Sequence, residues 1–355
     1  MNIRPLKIGD LTVKYPIIQG GMGVGVSLSN LASAVTNAGG IGVISTAQIG
    51  FKEKDFFNNP IKTNLLSIKK EIKLAKDKCK NGIIGANIMV ATKGYADYVK
   101  AAVEAGIDII ISGAGLPTML PKLVENTKVK IAPIVSSLKA TKVILKLWDK
   151  HNSRTADMVI IEGPKAGGHL GYKKDELNIT DNQFDDIVVS IISEVKKYSQ
   201  KYNIDIPVIV AGGIYDGNDI AHFLKLGANG VQMATRFVAT EECDASLEFK
   251  QAYVNAKKDD ITIVDSPVGM PGRAIVNPFI INSKNKTVKI QKCFGCLTPC
   301  NPNQTPYCIS RALINSVNGD INNGLIFCGE NAYKVNEITT VPSIFNELIS
   351  TLQKA

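Results

Sequence analysis

The sequence predicts an α/β fold, a closed TIM-type (β/α)8 barrel carrying a C-terminal extension. Three observations point there. Eight short, β-branched apolar runs, each followed by a turn or helical segment, fit into about 220 residues. The runs are apolar almost throughout rather than alternating, as parallel strands covered on both faces require. Glycine-rich turns follow the C-terminal ends of most runs, the end at which such barrels build their binding loops.

The first run, residues 16–19 (PIIQ), enters the loop GGMGVG; Ser27 is placed to cap a helix over 28–37, which Gly39 and Gly40 stop. The second, 41–45 (IGVIS), is followed by lysine-rich helical sequence to about residue 80. The third, 83–89 (IIGANIM), precedes a helix over 94–104, and the fourth, 109–112, opens into the loop GAGLP. The fifth, 129–135, leads to a helix through Trp148; the sixth, 158–162, to a long polar loop and a helix over 187–198. The seventh, 207–211, is followed by a helix over 219–226, and the eighth spans 230–233. Past residue 240 the rhythm stops. Residues 241–355 hold a helical stretch, the segment DSPVGMPGR (265–273), a cysteine cluster and a helix over 341–354, and show no core of their own. They read as an extension packed on a barrel of residues 1–240. An open doubly wound sheet is the alternative. It is weakened because the glycines at 20, 21, 23 and 25 have the wrong spacing for G-x-G-x-x-G and lack the Lys-Ser/Thr of a phosphate-binding P-loop.

Composition narrows the function. The 355 residues are 45% hydrophobic and 21% charged, ordinary for a globular chain that needs no disulfide scaffold. The formal charge of +9 is spread along the chain and aromatics are only 6%, so a nucleic-acid partner is not expected; a basic surface favours small anions. No apolar run reaches the roughly 18 residues of a membrane span, and MNIRP lacks the apolar core of a signal peptide, so a cytoplasmic location without membrane contact is expected. Association into a homo-oligomer is left open.

Chemistry-bearing residues gather at the strand ends. A Gly-Gly turn after the seventh strand and a polar residue after the eighth are where many barrels hold a phosphate; the N–H groups of Gly212, Gly213, Ala234 and Thr235 would converge on it. His169 lies in the glycine-rich loop EGPKAGGHLG, whose neighbours have no side chains to bury it. It is the expected catalytic residue, whereas His151 and His222 sit on helices. Separately, Cys293, Cys296, Cys300 and Cys308 place four thiols within sixteen residues, with Gly295, Pro299 and Pro302 shaping turns. The seven cysteines do not form a disulfide framework in a cytosolic chain. Four thiolates so spaced can hold an iron–sulfur cluster or zinc; the alternative is a set of inert thiols.

The motifs PIIQGGMG, GANIM, ISGAGLP, EGPKAGGHLG, VIVAGGI and GVQMATRF resemble the nitronate monooxygenase family, formerly 2-nitropropane dioxygenases. That family shares its FMN-binding barrel with FMN-dependent enoyl-acyl-carrier-protein reductases and some NADH:quinone reductases. The resemblance covers roughly residues 5 to 280 and implies a non-covalent FMN. It places Gly21, Met22 and Gly23 against the flavin, Asn87 at its ring, and Lys139 near it. It further places Glu162 on the ribityl chain, Gly167 and Gly168 beside the cofactor, and His169 near its reactive face. Ala211, Gly212, Gly213, Gln232, Met233, Ala234 and Thr235 would surround the phosphate end. The implied activity is oxidation of alkyl nitronates by O2 to a carbonyl compound and nitrite. The alternatives are NAD(P)H-dependent reduction of an enoyl thioester or a quinone and, from another class, a non-catalytic barrel binding a phosphate ligand or metal.

Overall fold

The computed structural model describes residues 2–79, 82–283, 290, 292–298 and 300–355; Lys80 and Pro299, which the sequence reading placed in a helix and a turn, lie outside them. All eight apolar runs are strands of one parallel sheet: β1 (Ile17–Gln19), β2 (Gly42–Ser45), β3 (Ile84–Asn87), β4 (Ile109–Ser112), β5 (Lys130–Val135), β6 (Val159–Glu162), β7 (Val208–Ala211) and β8 (Gly230–Met233). Their spatial order, β1-β8-β7-β6-β5-β4-β3-β2, brings the two end strands together, where Ile18 bridges Ile41. Gln19 completes that seam. Fully buried, it accepts from Val43 N at 3.1 Å and donates to Val43 O at 3.2 Å, extending the backbone bonds from Ile41 N to Ile17 O (3.0 Å) and from Gln19 N to Ile41 O (2.9 Å).

The lack of polar alternation has a structural cause. Ile18, Val43, Ile109, Ile111 and Ile160 fill the barrel interior together with Leu6, Ile8 and Val13 of an N-terminal hairpin (Leu6–Ile8 and Leu11–Val13). Their strand neighbours Ile17, Ile44, Ile110 and Ile161 pack against the helices instead. Those helices are α1 (Ser29–Asn37), α2 (Pro60–Lys78), α3 (Tyr95–Glu104), the single turn α4 (Leu120–Leu123), α5 (Leu138–Asn152), α6 (Asp181–Tyr202), α7 (Gly217–Lys225) and the short α8 (Thr235–Val238). Among the described residues, no helix is long and apolar enough to cross a membrane.

Two helix starts depart from expectation. Ser27 does not cap α1: its hydroxyl accepts from Met22 N at 2.9 Å and so fixes the first loop. The cap comes from far along the chain, where the Asp244 carboxylate accepts from Leu28 N (2.8 Å) and Leu31 N (3.2 Å). Helix α6 starts six residues before the expected 187, because Thr180 and Gln183 form a capping box ahead of the first buried residue, Phe184.

The extension supplies α9 (Leu247–Asn255), the hairpin β9 (Ile261–Asp265) and β10 (Pro271–Ile275), α10 (Pro278–Ser283), α11 (Ile309–Val317) and α12 (Val341–Lys354). DSPVGMPGR is therefore largely the turn of a hairpin and its returning strand. Residues Gly168–His169 join that hairpin as a third strand, with His169 opposite Gly272 and Gly168 opposite Arg273. Val264, Ala274, Ile280, Tyr307, Ile309 and Leu325 form a small apolar cluster within the extension, while Ile344, Phe345, Leu348 and Leu352 of α12 pack into the barrel's outer core.

Candidate active site

A cavity of about 290 Å³ opens at the C-terminal ends of the barrel strands. Gly21, Met22 and Gly23 line it from the β1 loop, Asn87 from the end of β3, and Glu162, Gly167, Gly168 and His169 from β6 and its loop. Ala211, Gly212 and Gly213 line it after β7; Gln232, Met233, Ala234 and Thr235 line it at β8 and the start of α8. Lys139 does not: Ser137 caps α5 by accepting from Ala140 N, which leaves Lys139 exposed in the first helical turn.

Two glycines are fixed by what surrounds them. At Gly21 a Cβ would stand 2.4 Å from Asn87 Cβ, so only glycine lets the first loop pass beside β3. Gly212 has φ +94°, and a Cβ there would lie 2.9 Å from Gly163 O and 3.0 Å from Ala166 N. A side chain at this turn is strained by both the backbone and its neighbours.

The His169 loop is held from the extension. Arg273, only 5% exposed, donates to Pro164 O at 3.0 Å and also to Ala166 O, and pairs with Glu330 at 3.3 Å. His169 Nε2 shares a hydrogen bond of 2.6 Å with Ser266 Oγ, and its ring meets Phe327 edge-on at 5.0 Å. Burial pushes the imidazole down to about 4, so it is neutral at pH 7. Glu162 is the converse. Burial pushes its carboxyl up to about 7, against the one opposing bond that Oε1 accepts from Gly171 N at 2.7 Å. Tyr172 Oη donates to the Glu162 carbonyl at 2.8 Å and steadies the strand end. Gln232 Oε1 is buried without a hydrogen-bond partner among the described residues.

The metal expectation is corrected. Among the described residues, no group of three or more His, Cys, Asp or Glu is arranged to hold a metal ion. Cys293 is exposed, and Cys296 lines the cavity. Burial raises the thiols of Cys296 (to about 11), Cys300 and Cys308, which keeps them protonated.

Sequence reasoning missed the residues that the extension brings in. Ser266, Phe327 and Arg273 lie about a hundred residues or more beyond the loop they hold, and no local spacing marks them. Asn331 Nδ2 likewise donates to Gly213 O at 2.6 Å. Gln48 and Tyr98, from the β2 loop and α3, also line the cavity; the loop following the second strand was the available signal.

The nitronate monooxygenase family model matches residues 4–351. The chain is 30% identical over 302 residues to a probable nitronate monooxygenase of Staphylococcus saprophyticus, covering 79% of this chain and 81% of that protein. It is 29% identical over 277 residues to the (3aS,4S,5R,7aS)-5-hydroxy-7a-methyl-1-oxo-octahydro-1H-indene-4-carboxyl-CoA dehydrogenase of Mycobacterium tuberculosis, covering 78% and 67%. Its fold is similar to that of FabK from Thermotoga maritima, with a TM-score of 0.74 and 26% identity over 96% of this chain and 94% of that one. These relations set aside the non-catalytic barrel. The chain belongs to the nitronate monooxygenase family and is an FMN-dependent oxidoreductase.

Proposed function

We propose that the chain holds FMN in the barrel-mouth cavity and oxidises alkyl nitronates with O2 to a carbonyl compound and nitrite. One observation carries the reading. His169, the histidine lining the cavity among the described residues, is offered to it as a neutral imidazole on a clamped loop.

The residues present fit the cofactor. Gln232 Oε1, without a partner among the described residues, needs a donor, and a ribityl hydroxyl next to the phosphate can supply it. Met22, Met89 and Ile134 give an apolar, polarisable wall suited to a flat ring. The Gly212 turn leaves bare backbone where a Cβ would intrude. On this reading Gly21, Met22, Gly23 and Asn87 border the ring, and Glu162 accepts from the ribityl chain beside Gly167 and Gly168. Ala211, Gly212, Gly213, Gln232, Met233, Ala234 and Thr235 enclose the phosphate.

FMN supplies the two-electron acceptor and the route to O2. His169 supplies proton handling. Ser266 occupies Nε2, so Nδ1 is the atom left to take the α-proton of a parent nitroalkane or to hold a proton against a nitronate oxygen. Phe327 and Leu297 wall the cavity from the extension side and limit water.

A second reading is an NAD(P)H-dependent reductase of an enoyl thioester or quinone. Its support is the similarity to a carboxyl-CoA dehydrogenase and the apolar side chains of Leu297, Ile309 and Leu313 on the cavity wall, which suit an acyl chain. Anaerobic mixing separates the two. Ethyl nitronate is expected to bleach the flavin absorbance rapidly and NAD(P)H is not; the reverse result transfers the enzyme to the reductase class. His169→Ala is expected to keep its flavin and bleach slowly, whereas loss of flavin would make His169 a scaffold residue.

A further inference from the structure

At the cavity wall lies a buried polar triad contributed by three elements, two of whose residues line the cavity. Asn64 of α2 is 1% exposed, Tyr98 of α3 2%, and Gln48 of the β2 loop 7%. The direction of each hydrogen bond in it is fixed by the backbone. Gly50 N can only donate, and it donates to Asn64 Oδ1 at 2.8 Å. That sets the Asn64 amide: its nitrogen faces the other two residues and donates to Gln48 Oε1 at 3.0 Å and to Tyr98 Oη at 2.7 Å. Gln48 must then present its own Nε2 hydrogens elsewhere, and Tyr98 its hydroxyl hydrogen.

Neither donor meets a protein acceptor among the described residues, and both residues line the cavity. Gln48 is held there at φ +47°, a left-handed conformation that side chains rarely adopt, so its placement is imposed by the surrounding structure. Burial pushes the Tyr98 hydroxyl up to about 12, which keeps it a donor throughout the physiological range. Donor hydrogens without a protein acceptor, on residues that line a cavity, mark where a ligand's acceptor atoms belong.

We infer that Gln48 and Tyr98 form a paired hydrogen-bond donor that grips the oxygens of the substrate's nitronate group, with Asn64 as the positioning residue that turns both donors outward. The identity of the oxygens rests on the nitronate reading above; the donor pair itself rests on the bond directions. A planar anion with two oxygens on one atom matches two donors from separate elements, and charge on the acceptor strengthens both bonds.

The test uses purified, flavin-replete enzyme and inorganic nitrite, a small anion that presents two oxygens on nitrogen. Binding is read as a change in flavin absorbance under anaerobic conditions. Tyr98→Phe and Gln48→Met are each expected to weaken nitrite about tenfold and to raise KM for ethyl nitronate by a similar factor, with flavin content and kcat changed far less. Asn64→Asp keeps the acceptor for Gly50 N but offers acceptors to Tyr98 and Gln48. It should weaken nitrite as strongly, and adding Tyr98→Phe to it should weaken binding little further, an outcome that mere loss of packing would not give. If Tyr98→Phe loses its flavin, Gln48→Met decides. Wild-type enzyme that binds no nitrite, or flavin-replete variants that bind it within twofold of wild type, would overturn the proposal. Should nitronate fail to reduce the wild-type flavin while nitrite binding still depends on Gln48 and Tyr98, the nitronate reading falls and the donor pair stands.

Discussion

Glu162 makes the stability of the flavin-free chain depend on pH in a direction that can be stated beforehand. Burial pushes its carboxyl up to about 7 from an ordinary 4.5. Between those values the folded chain keeps a proton that the unfolded chain has released. Stability therefore falls as pH rises across this window and levels off above about 7. At about 1.4 kcal/mol per pH unit, the whole interval amounts to about 3 kcal/mol. That is an upper figure, because the side chain borders the cavity and water there screens its charge. Glu162→Gln removes the titration yet leaves an oxygen to accept from Gly171 N. Urea midpoints of the two flavin-free proteins, measured from pH 4 to pH 8, isolate this group from all other carboxyls, which cancel in the difference. The variant is expected to match wild type near pH 4, up to a constant offset, and to gain on it by as much as about 3 kcal/mol by pH 8. A difference that stays flat would refute the burial argument. A difference of the opposite sign would mean that a cation or additional donors hold the carboxylate.

Two further changes probe the frame of the site. Gly212→Val sets a branched side chain at φ +94° against Gly163 O and should yield folded protein almost free of flavin; stoichiometric flavin in that variant would put the phosphate elsewhere. Asp244→Ala removes the acceptor of two N–H groups at the start of α1 and should cost about 1–2 kcal/mol in urea denaturation; a loss below about 0.5 kcal/mol would mean that water replaces the cap.

The strands were legible because burial on both faces writes itself into the sequence as unbroken apolar runs, and the loops because close backbone approach demands glycine. What escaped were the partnerships made across long stretches of chain. Ser27 has the chemistry of a helix cap and the right position, yet the Met22 loop takes its hydroxyl and Asp244 takes the cap. Lys139 lies near a strand end in sequence, but the cap at Ser137 starts α5 immediately and carries the lysine to the surface. The four clustered cysteines have ligand-like spacing, yet among the described residues no group of three or more His, Cys, Asp or Glu is arranged to hold a metal ion. Gln48, Asn64 and Tyr98 are ordinary polar residues at unrelated positions; only the fold makes them a chain of bonds with a direction.

The cavity is divided between two parts of the chain, and the division has a consequence. The glycine turns at Gly212 and Gly213 and the strand ends at Gln232 and Met233 belong to the barrel. The partner of His169, the ring beside it and the arginine that clamps its loop all come from residues past 240, as do Leu297, Ile309 and Leu313 on the cavity wall. On the proposed placement of FMN, a barrel can keep the backbone that receives a mononucleotide while the extension changes what lines the rest of the cavity. On the proposed reading, the extension shares selectivity with Gln48 and Tyr98 of the barrel. Substitutions at Ser266, Phe327 or Leu297 should move substrate preference while flavin content holds, whereas substitutions at Gly212 should do the reverse.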